Sequence, residues 1–251
     1  MTMLLQLTNV SKSYNGMRVI PPLSLAIEEG EFVGVISPNG AGKSTLFGLI
    51  SGVHRSDGGA IALDGVDIGG LDAAARCRAG IACTFQIPKP FLGMTVYENV
   101  LVAATFGGQL GRAAARERAA RALAQCGLLA EGDVPAQRLS LLQRKRLELA
   151  RAIATGPRLL LLDEVAGGLT DSEVLELLAL VGAIHRGGTT VVWIEHLVHA
   201  LVSVAKRLVV LSAGTIINDG ESQAVLASQV VRESYLGSGA ETNAGELHAA
   251  H

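Results

Sequence analysis

The sequence has no long hydrophobic run and no strong excess of charge of either sign. Hydrophobic residues make up 49% of its 251 residues, but they lie in short segments, and none approaches the roughly 18 residues that a membrane span requires. The formal net charge is −2, so the chain lacks the overall basic character that is typical of nucleic-acid binding proteins. These absences argue against a membrane-spanning chain and against a nucleic-acid partner.

Cysteine is scarce, and the beginning of the chain lacks the marks of a targeting signal. The three cysteines, Cys77, Cys83 and Cys126, match no metal-ligand spacing, so we expect reduced thiols in or near the core. Residues 1–6 contain no positively charged segment and no small-residue cleavage site, so we expect no signal peptide. The sequence therefore predicts a protein that stays in the cytoplasm unless a partner holds it at a membrane.

A glycine-rich loop, residues 37–42, is the most informative feature that is present. It lies between an apolar segment, 32–36, and a helical segment, which is the order of a phosphate-binding loop. Backbone N–H groups of such a loop converge on an anion, and the helix N-terminus adds positive charge. Lys43 can reach the β- and γ-phosphates of a nucleotide, and the Ser44 hydroxyl can ligate Mg²⁺. Ser37 stands where the pattern has glycine, and we expect strain of ~1–3 kcal/mol there if its φ is positive.

Polar side chains follow three further apolar strands. Asp163 and Glu164 end one strand, where the first carboxylate can hold Mg²⁺ and the second can orient or deprotonate an attacking water. Gln86 ends another, and its amide can bind Mg²⁺ or that water. His196 follows a third, and a neutral imidazole there can hydrogen-bond a phosphate. Tyr14, placed just after the first strand, either stacks on adenine or only packs.

The pattern of elements divides the chain into a core and an insert. Short apolar strands alternate with helical periodicity up to residue 86 and again from residue 157, whereas the part between them is mostly helical. The sequence therefore predicts one domain over residues 1–236, with an α/β core from 1–86 and 157–236, a helical subdomain from 87–156, and a flexible C-terminal tail from 237–251. Within the subdomain, helices are predicted at 95–105, 112–126 and 141–155. In the core, the predicted elements include a strand at 81–85 and a helix at 224–236.

The order of these motifs resembles the nucleotide-binding subunit of an ABC transporter. The resemblance covers about residues 4–236, and it includes the segment 139–143, Leu-Ser-x-x-Gln, which in the family is the signature motif. It implies an α/β fold with a P-loop NTPase (RecA-like) core, an antiparallel β subdomain and a helical insert subdomain. It also implies a dimer that binds two ATP molecules, because the signature segment of one subunit caps the γ-phosphate bound to the other.

By this resemblance, the chain is an ATPase whose cofactors are ATP and Mg²⁺. Glu164, His196 and Gln86 take the catalytic roles, and Ser44, Gln86 and Asp163 take the metal-binding roles. The nucleotide-binding roles fall on a larger set: Tyr14, Asn39, Gly40, Ala41, Gly42, Lys43, Ser44, Thr45 and, from the other subunit, Ser140.

Finer features are similar to the branched-chain amino acid importer subfamily. They are Thr84-Phe85-Gln86, the segments 94–100 and 146–152, Ile194-Glu195-His196, and Tyr235-Leu236-Gly237. The similarity implies an ATP-hydrolysing subunit that energises uptake of branched-chain or other hydrophobic amino acids, or of urea, amides or aromatic acids. The implied partners are transmembrane permease subunits, a second ABC ATPase subunit of the same or a different kind, and indirectly a solute-binding protein. The implied location is the inner face of the cell membrane, with residues 87–93 docking the permease.

Four positions depart from the family pattern and keep further interpretations open. The family usually carries glycine, which allows close backbone approach, at one or both of the positions held by Leu141 and Leu142. Val165 replaces a proline, and Ser37 replaces the glycine noted above. The chain could therefore be a regulatory or weakly hydrolytic subunit of an asymmetric ABC complex, in which the Leu141-Leu142 segment weakens the site on the partner. Two further classes are a non-transport ABC ATPase, which usually has coiled-coil insertions, tandem cassettes or basic faces, and a P-loop kinase, which needs an acceptor-binding lid.

Overall fold

The computed structural model describes residues 2–236, and the predicted flexible tail, 237–251, lies outside the described residues. Two sheets account for the strands of this part of the chain. The strands are β1 (Met3–Tyr14), β2 (Met17–Glu28), β3 (Phe32–Ile36), β4 (Gly58–Leu63), β5 (Val66–Asp67), β6 (Ile81–Cys83), β7 (Leu159–Asp163), β8 (Thr190–Ile194), β9 (Arg207–Ser212) and β10 (Thr215–Glu221). The helices are α1 (Lys43–Ser51), α2 (Ala73–Arg78), α3 (Val96–Val102), α4 (Arg112–Gln125), α5 (Leu141–Ala154), α6 (Asp171–Arg186), α7 (Val198–Val204), α8 (Ser222–Ala227) and α9 (Gln229–Leu236).

The larger sheet has six strands in the order β10-β9-β3-β8-β7-β6. The five strands from β9 to β6 run parallel, and β10 pairs antiparallel with β9 at one edge. Successive residues of a strand point to opposite faces. In β7, Leu159 and Leu161 therefore join one core while Leu160 and Leu162 join the other. Burial on both faces explains why this strand reads as an unbroken apolar run.

The smaller sheet is antiparallel, in the order β2-β1-β4-β5. Its apolar face packs with α1 against one face of the larger sheet, forming a core that includes Leu5, Ile27, Leu49 and Val192. Helix α1 is buried nearly all round, as expected for an apolar helix between two sheets. This packing holds the N-terminus of α1 beside the carboxyl ends of the parallel strands of the larger sheet.

The other face of the larger sheet is covered by helices. Within the segment 87–156, α3, α4 and α5 pack against one another. Helix α4 contributes Ala115, Ala119 and Ala122 to this contact, and these small residues bring the helices close together. The boundaries of the helical subdomain at residues 87 and 156 remain predictions.

Several predicted elements differ in extent from those observed. The helix predicted at 95–105 ends at Val102 and continues as a π-helical turn, Ala103–Gly107, in which Thr105 bonds the carbonyl of Leu101. The strand predicted at 81–85 ends at Cys83, although the N–H of Thr84 still bonds the carbonyl of Leu161, and the N–H of Phe85 is donated to the Glu148 carboxylate. The helix predicted at 224–236 is divided into α8 and α9 at Ser228, which has an extended backbone. Helix α2, whose N-terminus is capped by the Asp72 side chain, was not predicted.

Candidate active site

The predicted site residues meet at the carboxyl ends of the parallel strands of the larger sheet. Strands β3, β8, β7 and β6 are parallel neighbours, so their carboxyl ends lie side by side. The backbone also links the ends directly: the N–H of Glu164 bonds the carbonyl of Ile194 at 2.9 Å, and the N–H of Thr84 bonds that of Leu161 at 2.9 Å. The four segments that follow these strands are distant in sequence, and they therefore meet in one site.

The glycine-rich loop follows β3 and leads into α1. Gly42 has φ +97°, and a Cβ there would lie 2.8 Å from Cδ1 of Ile20, so only glycine fits. The carbonyl of Ala41 accepts the N–H of Gly214 at 2.9 Å, which ties the loop to the β9–β10 turn. Ser37 is fully buried and is not among the described residues with positive φ. The strain expected if Ser37 had a positive φ is therefore absent.

Four polar side chains form a compact cluster beyond this loop. Nζ of Lys43 lies 3.0 Å from Oε1 of Glu164 and 2.8 Å from Nε2 of His196. The same His196 nitrogen lies 2.7 Å from Glu164 Oε1. Gln86 donates from Nε2 to Oε2 of Glu164 at 2.6 Å. Lys43 and Glu164 expose only 7% and 15% of their side chains, so this charge pair is shielded from water.

Glu164 adopts an unusual backbone conformation. Its φ is +47°, a left-handed value that costs most non-glycine residues on the order of 1 kcal/mol or more. The next residue is Val165, and a proline there would push Glu164 towards extended conformations. The replacement of proline by valine is therefore compatible with the position in which Glu164 contacts Lys43, His196 and Gln86.

Asp163 is a half-buried carboxylate at the end of β7. Burial, and then the neighbouring charge of Glu164, raise its pKa to about 6, although Lys43 and His196 act in the opposite direction. The negative charge of Asp163 is therefore under-compensated in this structure. A carboxylate in that condition is well suited to a cation ligand.

Tyr14 and Ser140 lie apart from this cluster. Tyr14, at the end of β1, is partly exposed, and its ring contacts His54 edge-on with centroids 5.8 Å apart. Ser140 caps α5: its Oγ accepts the N–H of Gln143 at 3.3 Å, and the Gln143 side chain accepts the N–H of Ser140 at 3.0 Å. Within residues 2–236, neither side chain bonds the Lys43–Glu164 cluster, so their predicted roles require a bound nucleotide or a second subunit.

Comparisons with known proteins identify the family of this chain. A model of the ABC transporter family matches residues 20–167, which include the glycine-rich loop and the end of β7. The chain belongs to the ABC transporter family. The lipopolysaccharide export system ATP-binding protein LptB of Haemophilus influenzae is 33% identical over 91% of this chain and 95% of its own length. The high-affinity branched-chain amino acid transport ATP-binding protein LivG of Salmonella typhimurium is 34% identical over 93% and 98%.

Solved structures of ABC cassettes have the same fold. An ATP-binding cassette of an ABC transporter in its ADP conformation has a TM-score of 0.85 at 28% identity, covering 94% of this chain and 100% of that one. A dimeric cassette bound to ADP and phosphate has a TM-score of 0.79 at 25% identity, covering 87% and 99%. The predicted fold class and family are therefore confirmed, and this ABC protein is an ATP-binding, ATP-hydrolysing subunit of a transporter.

Sequence reasoning missed the buried charged residues that support the site of this ABC ATPase. Glu195 exposes 2%, Lys145 4% and Glu148 7% of its surface. Glu148 accepts the N–H of Phe85 at 2.8 Å, next to Gln86. Glu195 was noted only as part of the segment Ile194-Glu195-His196, directly after a mostly apolar strand. Lys145 and Glu148 carried no signal, since an amphipathic helix commonly has charges at such positions.

Proposed function

We propose that this ABC ATPase energises the import of branched-chain or other hydrophobic amino acids, or of related small solutes such as urea, amides and aromatic acids. The observation that carries the proposal is the match to LivG and to BraF of Pseudomonas aeruginosa, which is 33% identical over 98% of its length. LptB is about equally similar in identity. The similarity of residues 84–86, 94–100 and 194–196 to the branched-chain amino acid importer subfamily is the further support for import.

The geometry supports specific roles in ATP binding for the phosphate loop. The backbone of residues 39–42 and the N-terminus of α1 cradle the phosphates, and Lys43 binds the β- and γ-phosphates. In the structure Lys43 instead contacts Glu164 and His196. Binding of ATP therefore exchanges a carboxylate for phosphate at Lys43. The remaining loop contacts are assigned to Ser44 and Thr45, adenine stacking to Tyr14, and the trans contact to Ser140.

Hydrolysis is assigned to the cluster at the strand ends. Once Lys43 holds phosphate, Glu164 orients and deprotonates the attacking water, His196 hydrogen-bonds the γ-phosphate, and Gln86 positions the water. The existing contacts among these groups show that all three side chains reach a common point. No large rearrangement of the strands is then needed to bring them to the substrate.

The oxygen-bearing residues at the site fit Mg²⁺. The Ser44 hydroxyl, the Asp163 carboxylate and the Gln86 amide are ligand types that Mg²⁺ accepts, and the raised pKa of Asp163 indicates a carboxylate that a cation would stabilise. Among residues 2–236, no group of three or more His, Cys, Asp or Glu is placed to hold a metal. Phosphate oxygens are therefore required to complete the site, and bound Mg²⁺ would neutralise their charge.

We place the chain on the inner face of the cell membrane through its partners. Those partners are permease subunits, a second ABC ATPase that is identical or different, and indirectly a solute-binding protein. None of the described helices is long and apolar enough to cross a membrane. Ile87, Phe91 and Leu92 are exposed, which supports docking of the permease on residues 87–93.

The second candidate is a regulatory or weakly hydrolytic subunit of an asymmetric complex. It is favoured by Leu141, the first residue of α5, which is 44% exposed at the place where family members present glycine. A bulky side chain there can hold the helix away from a nucleotide on the other subunit. This chain's own Lys43–Glu164 site would then be the active one, opposite a partner with a glycine-bearing signature.

One experiment tests both candidates in the complex purified with its natural membrane subunits. ATP turnover is measured with the solute-binding protein and hydrophobic amino acids, for the wild type, Glu164→Gln and the exposed control Glu117→Gln. We expect stimulation by the loaded binding protein, loss of at least about 10²-fold in Glu164→Gln, and no change in the control. Near-wild-type turnover in Glu164→Gln would contradict hydrolysis at this chain's own Lys43–Glu164 site, which both candidates assume, and stimulation by lipopolysaccharide alone would contradict import.

A further inference from the structure

We propose that Glu195 is a positioning residue for ATP hydrolysis, because its buried carboxylate holds the two backbone segments from which Glu164 and His196 project. The inference rests on the proposed roles of Glu164 and His196. It assigns to Glu195 no contact with ATP or water. Its action is on the geometry of the two side chains that do make those contacts.

The hydrogen bonds of Glu195 define this role. Oε1 accepts the N–H of Ala166 at 2.7 Å, two residues after Glu164, and Oε2 accepts the N–H of His196 at 3.1 Å. Glu195 is only 2% exposed, so these are charge-assisted bonds in a largely water-free setting. One carboxylate therefore fixes the loop after β7 relative to the end of β8. That relation sets the distance between Glu164 and His196.

The charge of Glu195 is balanced from a third element. Lys145 of α5 is 4% exposed and lies within electrostatic reach of Glu195 and Glu148. Lys145 therefore balances the two buried acids as a group. Lys145 also lines the groove formed by Gln86, Gly167 and Gly168. Glu195 is therefore coupled electrostatically to α5 and hydrogen-bonded to the two segments that carry Glu164 and His196.

A carboxylate is required at this position by its hydrogen-bond geometry. Two backbone donors bond different oxygens of Glu195, so in this geometry a group with two acceptor oxygens is needed to satisfy both. In Glu195→Gln one donor would face the amide NH₂, so either Ala166 or His196 loses its partner. A displacement of about 1 Å in a catalytic group can lower the rate ~10²-fold, whereas the phosphate loop is tied to the β9–β10 turn through Ala41 and Gly214 and keeps its shape.

The test is steady-state hydrolysis by the assembled transporter complex with Glu195→Gln. We expect kcat to fall about 10- to 100-fold, with KM for ATP and nucleotide affinity changed less than about threefold. Lys145→Met should also lower kcat. The fall in kcat of the double variant should be smaller than the product of the two single falls, since the two buried charges interact. If Glu195→Gln does not fold, Glu195→Asp, which keeps the charge but shortens its reach, is measured in its place.

Glu31→Gln is the matched control. Glu31 accepts the N–H of Glu28 at 2.9 Å and pairs with Arg207 at 3.0 Å, but it precedes β3, at the end opposite the phosphate loop. Glu31→Gln should lower the melting temperature without lowering kcat. A kcat within twofold of wild type for Glu195→Gln, or a fall matched by an equal loss of ATP affinity, would overturn the proposal. Glu164→Gln, measured in parallel, separates the positioning role of Glu195 from the proposed catalytic role of Glu164. Unchanged hydrolysis in Glu164→Gln would contradict the catalytic role itself.

Discussion

Glu164 and Asp163 show how individual residues of the site depart from conformations and environments that favour stability. Glu164 has φ +47°, and Asp163 is a carboxylate whose pKa is raised by burial and by Glu164. Both departures lie where chemistry is proposed, and local strain is commonly found at functional sites. The contacts of Glu164 with Lys43, His196 and Gln86 offset part of this cost while no nucleotide occupies the loop.

The raised pKa of Asp163 predicts a pH dependence for the nucleotide-free protein. The native carboxyl titrates at about 6, against an ordinary value of 3.8, so the folded state binds this proton more tightly than the unfolded state. Asp163 therefore destabilises the fold increasingly as the pH rises from about 4 to 6, and the cost is fully present at pH 7. We expect Asp163→Asn to raise the melting temperature at pH 7 and to flatten the profile between pH 4 and 6.

Asp133→Asn is the control for this measurement, because Asp133 is exposed. Thermal unfolding of the two variants and the wild type across pH 4–8 checks the prediction. A profile of Asp163→Asn that coincides with that of the wild type would show that the Asp163 charge is compensated in the folded protein. Stabilisation by Mg²⁺ and ATP should be lost in Asp163→Asn and retained in Asp133→Asn.

At the scale of elements, α1 depends on a residue of α2, a helix that was not predicted. The Arg76 guanidinium, 1% exposed, donates to the carbonyls of Leu49 and Ile50 at the C-terminus of α1. It also bonds the carbonyls of Leu71 and Gly69 at 3.1 and 3.3 Å. A cation at a helix C-terminus is favourable because it opposes the negative end of the helix dipole. Arg76 thus fixes the far end of the helix whose N-terminus follows the phosphate loop.

We expect Arg76→Met to destabilise the protein by about 3–5 kcal/mol, since buried carbonyls lose their donor while the apolar stem is kept. The measurement is equilibrium unfolding in urea. Arg78→Met, an exposed residue of the same helix, is the control and should change the free energy of unfolding by less than ~0.5 kcal/mol. Equal stabilities for the two variants would contradict the role assigned to Arg76.

A second link between elements joins the segment 85–91 to the helices of the insert. Glu148 of α5 accepts the N–H of Phe85, and Arg151 donates to the carbonyl of Lys89 at 2.8 Å and lies over the Phe91 ring. Asn99 of α3 bonds both the N–H and the carbonyl of Phe91. The chain that carries Gln86 is therefore attached to α3 and α5, and movement of these helices would move Gln86 relative to Glu164.

At the scale of the whole molecule, Cys126 is buried and Cys77 and Cys83 are partly buried, so all three cysteines lie in or near the core. All three are free thiols. Burial raises the pKa of Cys126 to about 12 and that of Cys83 to about 11, and it also raises that of Cys77. A raised pKa leaves less thiolate, the reactive form, at pH 8. The expectation of reduced thiols in or near the core is consistent with this burial.

We expect the native protein to react slowly with a thiol reagent such as DTNB at pH 8, and all three cysteines to react rapidly in denaturant. Cys126, the most buried of them, should be modified only as fast as the whole domain unfolds. Cys126→Ala should remove that slowest phase and leave the others unchanged. Complete modification of the native protein within the reagent's mixing time would contradict this protected state.

Much of the fold and of the candidate site could be predicted, because the relevant signals are local in sequence. The glycine-rich loop before Lys43 and the apolar strand before Asp163 each combine a fixed spacing with a known backbone requirement. Element ends were less predictable. The strand predicted to reach Phe85 ends at Cys83, and the N–H of Phe85 bonds Glu148 of a distant helix. A helix ends at Val102 through a π-turn that no simple periodicity indicates.

The sequence by itself determined the phosphate loop, the acidic strand end and thereby the ATPase family, since each depends on residues that are adjacent along the chain. The tertiary structure alone decided that Lys43, Glu164, His196 and Gln86 meet, because parallel strands bring their carboxyl ends to one edge. It also decided which ordinary-looking charges are structural. Glu195, Lys145 and Arg76 are buried only because distant segments supply hydrogen bonds or opposite charge, and burial of a charge without such partners would be too costly.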